Sequence, residues 1–178
     1  MTTRNENLER LLSETLKEGV QFGAIGFREN SKARNRAALA AILDGLQRYD
    51  ESKRCYFEAL RIYRREYGAS HPEIAVVLNN LGALYHATGR PKLAESHYRA
   101  ALRMKRRELG ASHPDIGVTM NNLAMLHRGQ GSYELAESCF KRALQILNSS
   151  LGSSHPVTRE LRNNQRRQHH CPSIGEST

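Results

Sequence analysis

The stretch YGASHP, Tyr67–Pro72, returns as LGASHP at Leu109–Pro114 and as LGSSHP at Leu151–Pro156, 42 residues further on each time. A fixed period of about 20–50 residues marks an array of like supersecondary units. The stretch itself says how each unit is jointed. Gly68, Gly110 and Gly152 suit the left-handed position after a helix C-terminus, where a residue without Cβ is favoured. Ser70, Ser112 and Ser154 are candidate N-caps, and the Pro two residues later is tolerated in a first helical turn because its missing N–H needs no partner there. Ser70 with Glu73 has capping-box spacing, Ser112 with Asp115 is a weaker version, and Val157 breaks the box in the third copy. Each stretch therefore reads as helix stop, sharp turn, helix start.

Between these marks every unit divides into two helical patterns around a central Gly. In HPEIAVVLNNLGALYHATGR, Ile74, Val77, Leu78, Leu81, Leu84 and Tyr85 fall at three- and four-residue steps, and Gly89 ends this helix A. In PKLAESHYRAALRMKRRELG, Leu93, Ala94, Tyr98, Ala101, Leu102 and Leu109 form one face of a helix B that starts near Pro91 and is otherwise rich in Arg and Lys. The unit from His113 repeats the pattern, with NNLAML for NNLGAL and Gly131 for Gly89. One period earlier lies a more worn copy, with Leu39, Ala40, Ile42 and Leu43, then Gln47, Tyr49, Tyr56, Ala59 and Leu60. After Pro156 only half a unit follows: Asn163–Asn164 keep register, but Arg162 and Gln165 replace leucines, which predicts a polar capping helix.

Leu81, Gly82, Tyr85, Gly89, Ala94, Tyr98 and Ala101, matched by Leu123, Ala124, Gly131, Tyr133, Ala136, Phe140 and Ala143, resemble the tetratricopeptide repeat (TPR). That repeat usually has about 34 residues. A 42-residue unit with NNLA, a long helix B and LG..HP is similar to the kinesin-light-chain type. The resemblance covers roughly residues 30–165 and implies an all-α solenoid of helical hairpins, about three repeats plus a capping helix. The stripe Leu8, Leu11, Leu12, Leu16 and Val20 is too short for the sustained heptads of a motor-associated coiled coil, so the repeat type is carried over and the motor-subunit identity is not. The expected organisation is an N-terminal capping or docking helix and turn over 1–28, the TPR array with its cap helix over 29–168, and a disordered tail over 169–178.

Composition narrows the chemistry. The net charge is +9, and residues 1–28 hold four basic and four acidic side chains, so the whole excess lies beyond them. Such a balance favours acidic partners. No apolar run of membrane-spanning length is present, and the N-terminus lacks the apolar core of a signal sequence, which makes the cytoplasm the expected location. Cys55, Cys139 and Cys171 are too few and too far apart for a disulfide framework. No nucleophile elbow, phosphate-cradling Gly loop or zincin His pair occurs, so the chain reads as non-enzymatic and without a cofactor. His71, His113 and His155 recur once per unit, cannot converge on one metal ion, and read as turn and cap residues; His169–Cys171 carries no weight as a metal site.

What remains is a surface. The pairs Asn79–Asn80, Asn121–Asn122 and Asn163–Asn164 interrupt otherwise apolar helix A stripes. The resemblance implies that helix A lines a concave groove, where an amide offers a donor and an acceptor to the main chain of an extended peptide. Adjacent helix positions point about 100° apart, so one member of a pair can contact ligand while the other braces a neighbouring repeat. Ala83 and His86, then Met125 and Arg128, with Arg167 at the cap, complete the expected peptide-binding lining. Val118 stands where a carboxylate-clamp TPR would want a Lys. The expected function is a protein–protein interaction module, adaptor or scaffold, whose partner segment has an apolar anchor and acidic flanks. Arg61, Arg64, Arg65, Arg103, Lys105, Arg106, Arg107, Lys141 and Arg142 on helix B supply the alternative, a nucleic-acid-binding face, although no Trp is present for base stacking. Self-association through the array stays open.

Overall fold

The computed structural model describes residues 2–22 and 29–166, and among them every regular element is an α-helix. In order these are α1 (Thr2–Phe22), α2 (Glu29–Gly45), α3 (Tyr49–Tyr67), α4 (Pro72–Ala87), α5 (Pro91–Leu109), α6 (Pro114–Gly129), α7 (Tyr133–Leu151) and α8 (Pro156–Arg166). Helices α2–α3, α4–α5 and α6–α7 are the three hairpins, and α8 is the half-unit. The expected turn over residues 23–28, Arg167, His169–Cys171 and the tail lie outside the described residues. The chain forms two compact units, Met1–Met104 and Lys105–Thr178. In unit 1, α1 packs on α2, α2 on α3, and α3 on α4; in unit 2, α6 packs on α7 and α7 on α8.

The turns inside the hairpins share one hydrogen-bond pattern. At the first, Gln47 N–H donates to Asp44 C=O and Arg48 N–H to Leu43 C=O. Gly89 and Arg90 repeat this on His86 and Tyr85, and Gly131 and Ser132 repeat it on Arg128 and His127. This is a Schellman motif, which requires a left-handed residue at its fifth position. Gly89 and Gly131 supply it with φ of 69° and 75°, but the worn first copy must hold Gln47 at φ 62°. A side chain there costs about 1 kcal/mol in steric strain. Gln47→Gly is therefore expected to stabilise unit 1 by about that amount, read as a higher urea midpoint at unchanged slope. An unchanged or lower midpoint would show the turn to be unstrained.

The turns between hairpins correct the expected cap by one residue. His71, not Ser70, is the N-cap of α4, and its Nδ1 accepts the Glu73 N–H at 3.3 Å. His113 accepts from Asp115 N–H at 3.2 Å, and His155 from Val157 N–H at 3.3 Å. Proline occupies the first helical position and has no N–H, so the first donor needing a partner lies two residues past the His. Because the cap is satisfied through the backbone, the third copy keeps it although Val157 replaces the acid. The recurrent His residues are thus structural, as their spacing suggests.

The core follows the apolar register. Tyr56, Tyr98 and Phe140 occupy one position in successive B helices and are each at most 1% exposed. In α4, Gly82 lies so close to α5 that an added Cβ would stand 2.6 Å from the Tyr98 ring. Leu12 of α1 is buried, and Leu8 meets Gly45, which seats α1 on the first hairpin. Among the described residues, neither Cys55 nor Cys139 is in a disulfide.

Candidate functional site

The A helices present their amides differently in the two units. In unit 1, Asn79 and Asn80 are half-buried on α4, and Asn79 Nδ2 donates to Asn80 Oδ1 at 3.3 Å. Asn80 also hydrogen-bonds the hydroxyl of buried Tyr56, so this amide braces α4 against α3. Ala83 and His86 follow on the same helix, both half-buried, and burial lowers the His86 pKa and favours its neutral ring. Val76, one turn before Asn79 and Asn80, leaves 38% of its surface exposed. Unit 1 thus offers an apolar contact, amides and an imidazole along one helix.

In unit 2 the first member of the pair does the bracing. Asn121 Oδ1 accepts from Asn164 Nδ2 of α8 at 3.5 Å, and Arg128 Nη1 donates to the Asn164 carbonyl at 3.0 Å. Gln165 Nε2 donates to Glu137 Oε1 at 3.0 Å, tying α8 to α7. Asn122 and Met125 are half-buried and Asn163 is exposed. Arg128 is therefore engaged on one side by the half-unit. Asn121, Asn122, Met125 and Arg128 are brought together on α6, whereas Asn163 stands outside this network.

Two residues carry more than their sequence suggested. Lys105, counted above in the basic helix B row, is 4% exposed and leaves that row. Its Nζ donates to the Asp115 carbonyl at 3.2 Å and to Thr119 Oγ1 at 3.0 Å, with Asp115 Oδ2 at 4.0 Å. Burial lowers its pKa, against the opposing charge of Asp115. The position is a core site: one period either way it holds buried Tyr63 and buried Leu147. The second residue is Asp44 of α2, the counterpart of His86 and Arg128, whose carboxyl pKa burial raises. Counting back 42 residues from His86 would have found it.

The rest of the basic row stays exposed, but several members are paired: Arg65 with Glu66 at 3.4 Å, Arg107 with Glu108 at 3.5 Å, and Lys141 with Glu137 at 3.4 Å. A recess of about 280 Å³ opens over Leu12, Leu39, Leu43 and Cys55 in unit 1. On its rim, Arg36 meets Glu58 at 3.0 Å and Arg48 meets Glu51 at 2.7 Å. Among the described residues no group of three His, Cys, Asp or Glu could hold a metal ion, and no helix is long and apolar enough to cross a membrane.

Comparison with known proteins fits these repeats to a family. A tetratricopeptide-repeat family model matches residues 32–107, 75–149 and 115–165. The chain belongs to the tetratricopeptide-repeat family. A search of curated proteins finds no match. Among solved structures, BtubC (BKLC) from P. vanneervenii is similar with a TM-score of 0.70 at 20% identity over 94% of this chain, which spans 65% of that one. Two structures of the Podosopora anserina putative kinesin light chain nearly identical TPR-like repeats are similar too. One of them gives a TM-score of 0.68 at 18% identity over 94% of this chain and 84% of that one. At such identities the likeness is one of fold, and it agrees with the kinesin-light-chain-like repeat type read from the 42-residue period. The TPR array is thus a helical repeat of a kind that serves protein interaction.

Proposed function

We propose that this TPR protein is a non-enzymatic adaptor that holds an extended segment of a partner protein against its A helices. The observation that carries this reading is the recurrence of half-buried asparagine amides on those helices, at Asn79–Asn80 and Asn121–Asn122. In each pair one amide is tied to a neighbouring helix, and we assign the other to the partner's main chain. Val76 in unit 1 and Met125 in unit 2 supply apolar contacts, and Arg128 in unit 2 supplies a site for an acidic residue of the segment. Complementary charge then sets encounter rate and register more than total affinity.

The test is a capture experiment from nuclease-treated lysate, comparing wild type with a variant in which Asn79, Asn80, Asn121 and Asn122 are all Ala. Loss of two or three main-chain contacts is expected to weaken a specific partner at least tenfold, at about 1 kcal/mol per hydrogen bond. The variant must first show an intact cooperative melt, since Asn80 also supports Tyr56. Capture that survives the four substitutions overturns the groove. Capture that disappears from both samples on nuclease treatment would hand the function to the exposed arginines of α3, α5 and α7.

A further inference from the structure

Asp44 lies at the end of α2, at the register position that recurs as His86 and Arg128. In unit 2 the side chain at this position reaches the following A-type helix, where Arg128 donates to the Asn164 carbonyl. A carboxylate cannot make that bond, because it only accepts. Asp44 Oδ1 is buried and has no hydrogen-bond partner among the described residues. Its neighbours in unit 1 are the buried phenols of Tyr56 and Tyr98, both of which sense its charge. The amide of Asn80 joins the same group through its bond to Tyr56. Among the described residues, burial is the cause that raises the Asp44 carboxyl pKa. A half-buried carboxylate with an idle oxygen is costly until something donates to it, and a cationic donor does so best.

We propose that the A-helix face of unit 1 receives a basic side chain of the bound partner segment, Arg or Lys, on the Asp44 carboxylate beside Asn80. This rests on the groove reading above and sharpens it. Arginine fits better than lysine, because its planar fork offers several N–H donors at fixed angles to a half-buried carboxylate, while an ammonium is a compact, strongly hydrated point charge. The chain's net charge of +9 opposes polybasic ligands in general. The site therefore selects one basic residue in a segment that is otherwise neutral or acidic, which combines an attractive contact with a repulsive background.

The probe is N-acetyl-arginine amide, titrated into the ¹⁵N-labelled full chain, with the uncharged isostere N-acetyl-citrulline amide as control. Saturable shifts at the Asp44 amide and the Asn80 side-chain amide are expected for arginine alone, with a Kd of about 1–10 mM for so small a ligand. Asp44→Asn should weaken that binding about tenfold or abolish it. Shifts that citrulline reproduces, that Asp44→Asn leaves unchanged, or that never appear would overturn the basic subsite. The control with citrulline needs no variant, so a folding defect in Asp44→Asn cannot shield the proposal. If the subsite fails while the four-Asn variant still loses its partner, the groove stands without it. If the four-Asn variant keeps its partner, the groove itself has failed.

Discussion

Gly82→Ala is expected to destabilise unit 1 by about 1–3 kcal/mol, the usual penalty for overpacking a filled core. The expectation runs against local propensity, since alanine in a helix interior is favoured over glycine by about 1 kcal/mol. Packing decides the sign. The new Cβ would stand 2.6 Å from both Cδ1 and Cε1 of Tyr98 and 3.0 Å from Cγ, well inside contact distance. That ring is 1% exposed and has nowhere to swing. The corresponding positions of the other hairpins carry Ala40 and Ala124, so the close approach that excludes a methyl group is specific to the Gly82–Tyr98 contact. A double-mutant cycle with Tyr98→Leu isolates the clash: the leucine frees the space, and the pair should be less destabilised than the sum of the single changes. Strict additivity, or a Gly82→Ala protein as stable as wild type, would mean that the two helices part at little cost.

The second large effect is a collapse of unit 1 in alkali. Burial raises the phenol pKa values of Tyr56, Tyr63 and Tyr98, with Tyr63 pushed up to about 12. Nearby carboxylates add to the rise: Asp44 for Tyr56 and Tyr98, and Glu73 for Tyr63. An unfolded tyrosine titrates near pH 10. The folded values lie above the unfolded one, so the stability these groups contribute is whole below about pH 10 and is lost as the pH rises from there toward 12. All three phenols belong to unit 1. Their register counterparts in unit 2 are Phe140 for Tyr56 and Tyr98, and Lys105 and Leu147 for Tyr63, none of which is a phenol.

Lys105 works in the opposite direction. Its folded pKa lies below the ordinary lysine value of 10.5. The unfolded chain therefore holds the proton longer, and the stability of unit 2 rises with pH through the window ending near that value. Tyrosinate absorbance and helical ellipticity should thus change together in one cooperative step above about pH 10. Replacing Tyr56, Tyr63 and Tyr98 by Phe should move that step upward by about one pH unit relative to each protein's own neutral stability. Free, non-cooperative ionisation of these phenols at ordinary pH, with the helices intact, would contradict their burial.

Much of this architecture is legible in the sequence because a period multiplies weak signals. One Gly after a helical stripe says little, but Gly89 and Gly131 at the same offset announce a turn, and the structure gives both a left-handed backbone. The TPR fold and its hairpins follow from that repetition. The cap reads one residue early in the sequence because Ser and His both precede Pro, and only the geometry shows which side chain reaches the first free N–H. Lys105 is misleading for a different reason. It sits in the run RMKRRE, where its neighbours are solvated arginines, and local composition outvotes its register with Tyr63 and Leu147. Asp44 escapes notice because the first unit is worn, with Ala37–Ala38 in place of an Asn pair, so nothing nearby marks its helix as a binding surface. Which Asn of a pair braces the fold depends on side-chain direction, and it differs between Asn80 and Asn121.

The burial of Lys105 has a use outside the energetics of unit 2. An amine sealed between the end of α5 and the start of α6 cannot meet an acylating reagent or a trypsin active site until that junction separates. Its rate of modification is then governed by how often the junction opens rather than by the nucleophilicity of the amine. The protein carries its own clock for that opening, at a named residue and without a foreign label.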